Sequence, residues 1–296
     1  MVKTINTDFF SRGLARIFLS VCICVLYLCI SVLSAETTFE PFVGYNAFQK
    51  IGPVNRLIDN YSALFSPYQY SEINSGWDFG GKLGIGLTKD NKLLLTTKIS
   101  YLTAATGFKY INKDGTDISQ GTLDWFLGYP DNFKIRLLKG QVGLDFIPIQ
   151  KQKVAVGLSA ATGLGFSKFI VEGTGFYTDG TSTFTYTYEI PYEKQANVFD
   201  VALNVEFKPF GSETTSSFGT ETEAFPLRST SIEFSVGGFF APMGAVKSTR
   251  NIDFTGDGVI DIKKGDTLKK TTITTGSDLN LDLSSVFINL GIKLRW

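Results

Sequence analysis

From residue 39 to the last residue, apolar and polar positions alternate in eight separate stretches, the period of a β-strand with two unlike faces. The final stretch, SVFINLGIKLRW, shows it most fully. Val286, Ile288, Leu290, Ile292, Leu294 and Trp296 share one parity; Ser285, Phe287, Asn289, Gly291, Lys293 and Arg295 share the other. The first stretch, FEPFVGYN, places Phe39, Pro41, Val43 and Tyr45 on its apolar side. In GWDFGGKLGIGLT, Trp77, Phe79, Leu83, Ile85 and Leu87 oppose Asp78, Lys82 and glycines. KLLLTTKISYL, RLLKGQVGLDF, VAVGLSAATGLGF, FDVALNVEFK and SIEFSVGGFF repeat the arrangement, and no helical period of comparable strength is apparent after residue 36. The chain is predicted to be all-β.

The second face carries Glu40, Asp78, Asp145, Asp200, Glu206 and Glu233 together with Lys82, Lys98, Lys139, Lys153, Lys208, Lys293 and Arg295. In a sandwich these residues face water while the apolar sides pack on each other. In a membrane barrel they face inward, where near balance of sign suits an enclosed space because an unpaired buried charge is costly. Connection lengths favour the barrel. KDNK and PIQKQ link strands two to three and four to five, whereas the other links around them run to roughly 25–40 residues, far above an ordinary hairpin loop. Alternation of short turns and long loops is the asymmetry of a transmembrane barrel. The sixth connection, over residues 210–229, is long where a short turn is expected.

Residues 1–35 are predicted to be a signal peptide. Lys3, Arg12 and Arg16 precede the apolar run IFLSVCICVLYLCISVLSA, with cleavage expected after Ser34 or Ala35. Its removal takes away Cys22, Cys24 and Cys29 and leaves 25 bases against 27 acids, so the barrel domain, residues 36–296, has no disulfide framework and a net charge of about −2. That balance argues against nucleic acid as a partner.

Leader, alternating strands, turn asymmetry and the aromatic Trp296 behind Leu294, Ile292 and Leu290 together resemble the small bacterial outer-membrane β-barrel family, of the OmpA-barrel, OmpX and opacity-protein type. The resemblance implies an antiparallel up-and-down barrel, most simply of eight strands, with ten as the alternative, and long extracellular loops. It implies residence in the outer membrane, contact with its lipid, and passage through the barrel-assembly machinery. Tyr45, Trp77, Tyr101, Phe166, Phe199 and Phe240 then form one interfacial girdle, and Phe39, Phe146, Phe207, Phe234 and Trp296 the other.

Function is expected in the loops, as structural, adhesive or ligand-binding work, with a narrow OmpW-like channel for small or hydrophobic solutes as the alternative. The chain has no histidine, the usual general acid or base near neutral pH. No GxSxG, P-loop or HExxH motif compensates, so no enzyme is expected and no organic cofactor. A hairpin turning at Asp179 and Gly180 carries Tyr177, Tyr186, Tyr188 and Tyr192 as candidate partner contacts. One metal motif stands out. DFTGDGVID sets Asp253, Thr255, Asp257, the Val259 carbonyl and Asp261 at alternate positions of a calcium loop, with Gly258 at the sharp turn. It resembles the D-x-[DN]-x-[DN]-G loop of EF-hand and dockerin-like repeats. Thr255 at the third position and Lys264 at the twelfth depart from that pattern, leaving Asp266 as the substitute for the bidentate acid.

Overall fold

A computed structural model describes residues 36–64, 68–88, 90–106, 108–110, 129–178, 183–209, 229–253, 259–272 and 274–296. Eight long strands carry the alternating stretches: β1 Thr37–Phe48, β2 Ser75–Gly86, β3 Leu93–Ala105, β4 Tyr129–Gln150, β5 Val154–Thr178, β6 Thr183–Phe207, β7 Ser229–Phe240 and β8 Ser285–Arg295. Each pairs antiparallel with its neighbours in sequence, and β8 returns to pair with β1, so the sheet closes into a ring. Closure is register-specific: Gly44 lies opposite Asn289 and Tyr45 opposite Ile288. At the seam, Trp296 N donates to Thr37 O at 3.0 Å. The ring has eight strands, and the ten-strand alternative is set aside.

Parity decides the two surfaces. Phe79, Val142, Leu144, Leu158, Val201, Leu203, Phe234, Val236 and Leu290 face outward and are exposed; Leu290 at 53% would be anomalous beside water. On β8 the apolar row from Val286 to Leu294 covers eight residue steps, or about 26 Å along the strand. Tilted as barrel strands are, that row gives a band slightly under the ~25 Å height of a membrane barrel. Tyr45 and Trp77 stack edge-on at 5.5 Å on the outer rim, at the long-loop end, where a girdle is expected. No helix among the described residues is long and apolar enough to cross a membrane; the crossing elements are strands.

The expected hairpin in the fifth connection is present, and one feature departs from the sequence reading. The long fifth connection is mostly strand: β5 and β6 each run 25 residues and pair from Val154↔Phe207 to Thr178↔Thr183. At ~3.3 Å per residue that is about 80 Å, and 25 residues are more than twice the 9–11 a crossing needs, so the hairpin stands well above the bilayer. The turn at Asp179 and Gly180 lies outside the described residues. The departure is a helix, α1, over Gly52–Leu64. Val54, Leu57, Ile58 and Tyr61 fall at i, i+3, i+4 and i+7 and are all buried. The signal is a single short stripe inside a chain dominated by period two.

The last long connection is folded too. Pro242–Ala245 pairs with Asn280–Asp282, and Lys247–Ser248 pairs with Glu193 and Tyr192 on β6, above the level where β7 ends. Ile252 and Ile262 bridge to form a smaller hairpin. The signal peptide at 1–35 and nearly all of the 210–229 connection lie outside the described residues.

Candidate functional site

The lumen is the candidate site, and it has two chemically distinct halves. Toward the short turns, inward side chains from six of the eight strands converge on ion pairs. Lys82 Nζ lies 2.7 Å from Glu233, 2.8 Å from Glu40 and 3.3 Å from Asp145. Its shortest contact is to Glu233, and Glu40 and Asp145 share the same ammonium. Lys293 pairs with Glu233 and stands 3.7 Å from Glu206; Arg295 pairs with Glu206 and, at 2.8 Å, with Glu36. Glu206 and Glu233 face each other directly across β6 and β7. Such like charges repel unless cations intervene, and Lys293 bridges them.

Lys293 and Arg295 point inward as their parity requires. Their partners differ from the simplest expectation, however: Glu40 is taken by Lys82, directly opposite it on β2. Lys153, assigned to the inner face, is instead exposed in the turn before β5. The inward glycines sit where neighbouring groups crowd in. A Cβ at Gly291 would collide with Glu40, and one at Gly80 with the Phe42 ring, so these positions are small because neighbouring side chains fill the space above them.

One level higher, Lys139 pairs with Asp78 at 2.5 Å and Lys98 with Asp200 at 3.1 Å. Aromatic rings cover both ammonium groups: Phe239 lies 4.5 Å from Lys139, and Phe42 and Phe287 lie 5.1 and 5.3 Å from Lys98. Cation–π contact of this kind compensates part of the lost hydration.

Above this layer the lumen becomes apolar. Leu102, Phe133, Ile135, Leu137, Phe169, Val171, Ile190 and Val198 point inward from β3 to β6 and are buried. They pack into one continuous cluster with Val54, Leu57, Ile58 and Tyr61 of α1 and with Met243, Val246, Leu268, Leu279, Leu281 and Leu283 of the last connection. The Phe133 ring meets Tyr61 at 5.5 Å and Tyr70 at 5.8 Å, both edge-on. Asparagines fix this cap. Asn55 Oδ1 accepts from Ile73 N at 2.9 Å, its Nδ2 donates to Asn74 Oδ1 at 3.0 Å, and Asn60 Nδ2 donates to Thr271 O at 3.1 Å. The cap was illegible as a functional unit because its two halves lie about 200 residues apart.

Of the tyrosines assigned to the long hairpin, Tyr192 is fully buried and Tyr188 packs against the same apolar cluster. These two hold the cap rather than reach outward, since parity aims them into the ring. The side chains of Tyr177 and Tyr186 lie outside the described residues.

The calcium-loop candidate sits on the cap hairpin. The bridge Ile252↔Ile262 brings Asp253 and Asp261 to its two ends, with Val259 exposed near the tip; Thr255 and Asp257 lie outside the described residues. Asp266 is occupied otherwise, accepting from Lys263 N at 2.8 Å, and Lys264 N donates to Asn251 Oδ1 at 2.8 Å. Among the described residues no group of three or more acids, cysteines or histidines could hold a metal. Elsewhere on the cap, the Asp278 carboxyl is held below its usual range by hydrogen bonds from Lys269 and Thr267.

At the short-turn mouth a cavity of about 190 Å³ remains, lined by Glu36, Asp90, Asn91, Glu206, Lys208 and Arg295, with Leu94, Ile147 and Gln150 beside them. Asp90, in the turn between β2 and β3, titrates at about 2, lowered by hydrogen bonds from Lys92 and Thr88.

No protein-family model matches the chain, and no curated protein matches its sequence. Among solved structures it is similar to Ail, the attachment invasion locus protein of Yersinia pestis, described in complex with the heparin analogue sucrose octasulfate. That likeness is at 8% identity, covering 89% of this chain and 100% of that one, with a TM-score of 0.34. A second structure of Ail gives 8% identity, 88% and 98% coverage and a TM-score of 0.30. The outer membrane protease OmpT of Escherichia coli gives 9% identity, 89% and 97% coverage and a TM-score of 0.36. Scores this low leave the fold to rest on the chain's own ring, which is closed at both seams, belted with apolar residues and rimmed by aromatics. The chain is an eight-stranded transmembrane up-and-down β-barrel.

Proposed function

We propose that this barrel is an integral protein of a bacterial outer membrane and that it works as a sealed platform, with its function on the extracellular cap and the tall hairpin. The observation that carries this reading is the filled lumen. An eight-stranded ring leaves room for side chains or one small ligand, and here an apolar cap occupies one half and paired charges the other. Work by structural support, adhesion or ligand binding at the outer surface fits a rigid cap on a tall β-hairpin. A narrow channel would need both layers to part. A non-catalytic role accords with a chain that has no histidine, and in which Lys82, Lys98, Lys139 and Lys293 are each paired with an acid.

Planar-bilayer recording is the test. Purified protein that inserts and stays silent supports the platform, whereas steady single-channel steps would overturn it. Membrane residence is checked by gel mobility with and without boiling: a folded barrel migrates anomalously until heated, and unchanged mobility with recovery in the soluble fraction would defeat the placement.

A further inference from the structure

The tall hairpin changes character where it leaves the cap. On its cap-side face Ile190 is fully buried in the apolar cluster, while Tyr188, the next residue up on that face, is only partly buried. The pairing of β5 with β6 runs on past this rung, setting Gly173 opposite Tyr188, Gly175 opposite Tyr186 and Tyr177 opposite Phe184. Parity places these six positions on one face of the hairpin. The other face carries two directly opposed threonine pairs, Thr174 with Thr187 and Thr178 with Thr183, and sets Phe176 opposite Thr185. Above the cap the hairpin is thus a two-sided blade, aromatic and glycine on one side and mostly threonine on the other.

The chemistry of the aromatic face selects its occupant. From Gly173 to Tyr188 the chain has one acid, Asp179, and no base. A polyanion finds no cation there and a polycation only one carboxylate, so charge complementarity points to an uncharged partner. Glycine opposite tyrosine on two successive rungs keeps the sheet free of bulk beside each aromatic position, as where a ligand comes close to the backbone. Tyrosine, glycine and hydroxyl residues together supply rigid amphipathic area and adaptable hydrogen bonds at low entropy cost. A neutral polysaccharide matches both properties, offering C–H faces to aromatic residues and hydroxyls to polar ones; an apolar peptide would leave the hydroxyls unmatched. Resting on the platform reading above, we propose that the aromatic and glycine face of the hairpin above the cap binds an uncharged polysaccharide chain. Tyr177, Phe184 and Tyr186 are its contact positions, and the threonine face takes no part. The continuity of this face with the cap cluster at Tyr188 mounts the site on the barrel wall.

The test is affinity electrophoresis of the folded barrel in detergent, on native gels cast with dextran, hydroxyethylcellulose or galactomannan, and with dextran sulfate as the charged counterpart. At least one of the three neutral polymers is expected to retard the protein, and dextran sulfate is not. Tyr177→Ala and Tyr186→Ala should each weaken the apparent affinity roughly 2- to 10-fold, the range of a single aromatic contact. Tyr186→Phe, which keeps the ring, should retain most of it, and Thr185→Val on the opposite face should leave it unchanged. Heat-dependent gel mobility, read on every variant, verifies that the ring is folded. No retardation by any neutral polymer, retardation by dextran sulfate alone, or a Thr185→Val loss equal to that of Tyr186→Ala would each overturn the proposal. Conductance steps in planar bilayers from protein that still binds the neutral polymer would defeat the sealed platform and leave this site standing.

Discussion

Replacing Lys82 by Met tests whether the charged half of the lumen holds the barrel shut. The ammonium sits among three carboxylates at 2.7, 2.8 and 3.3 Å. With an effective dielectric of 20, each contact is worth roughly 5–6 kcal/mol of gross attraction, largely cancelled by repulsion among the acids and by lost hydration. Removing one partner of a buried pair costs about 3–5 kcal/mol, because the charge left behind has no compensation. Glu233 keeps Lys293, so the orphans in Lys82→Met are Glu40 and Asp145. The assay is urea unfolding in lipid vesicles followed by tryptophan fluorescence, with gel mobility as a second probe of the same transition. A loss near 3–5 kcal/mol is expected. The double variant Lys82→Met with Glu40→Gln should recover part of it, since one orphaned charge becomes a neutral amide. A single-variant loss below about 1 kcal/mol, the range of solvated pairs, would refute the network argument, as would a double variant less stable than the single one.

Four further outcomes follow from the same geometry. Leu57→Ala in α1 deletes a fully buried side chain and should cost the cap about 2–5 kcal/mol; faster protease cutting within residues 241–284, with unchanged heat-dependent gel mobility, is the expected signature. Leu290→Arg places a cation at the middle of the outward row and should cost about 2–4 kcal/mol in bilayers, read as a lowered urea midpoint in vesicles. Asp90 titrates at about 2 rather than 3.8, so its stabilising contribution is present above pH 3.8 and fades as pH falls toward 2; an NMR titration midpoint near 3.8 would contradict the turn geometry. Asp257→Ala should abolish any calcium-dependent protection of the 252–262 hairpin from protease, and equal cleavage of the parent chain with calcium and with chelator would remove the calcium reading.

The strands were legible because each obeys one constraint where it crosses the membrane: lipid on one side and a crowded polar lumen on the other. Parity alone therefore located Glu40, Lys82, Glu233 and Lys293 on the inner face. It could not say which acid meets which base, because pairing depends on strand register and stagger. Lys82 reaches both Glu40 on the neighbouring strand and Glu233 three strands away round the ring. The cap was illegible for a different reason. Above the bilayer both faces of a strand meet water or protein, so alternation no longer distinguishes them. Tyr188 and Tyr192 looked like outward contacts until the ring showed that they point inward. The helical stripe Val54, Leu57, Ile58 and Tyr61 was readable, but one short stripe carries little weight beside eight strands of period two.

The two halves of the lumen divide labour by physics. A ring of inward charges holds strands in register, because a one-residue slip turns every charge to lipid and every apolar side chain to the lumen. Such a ring must be filled and paired, which the inward glycines permit by giving room to Glu40 and Phe42. An apolar cap exerts no comparable control over register, but it welds the first and last connections to the tall β5–β6 hairpin through one cluster. A ligand bound on that cap would therefore press on a body continuous with the barrel wall rather than on a loose loop. Rigid mounting of this kind limits the ordering cost of binding. Affinity measured on a Leu57→Ala variant should accordingly fall through slower association as well as faster release, since only part of the cap population would be competent at any moment.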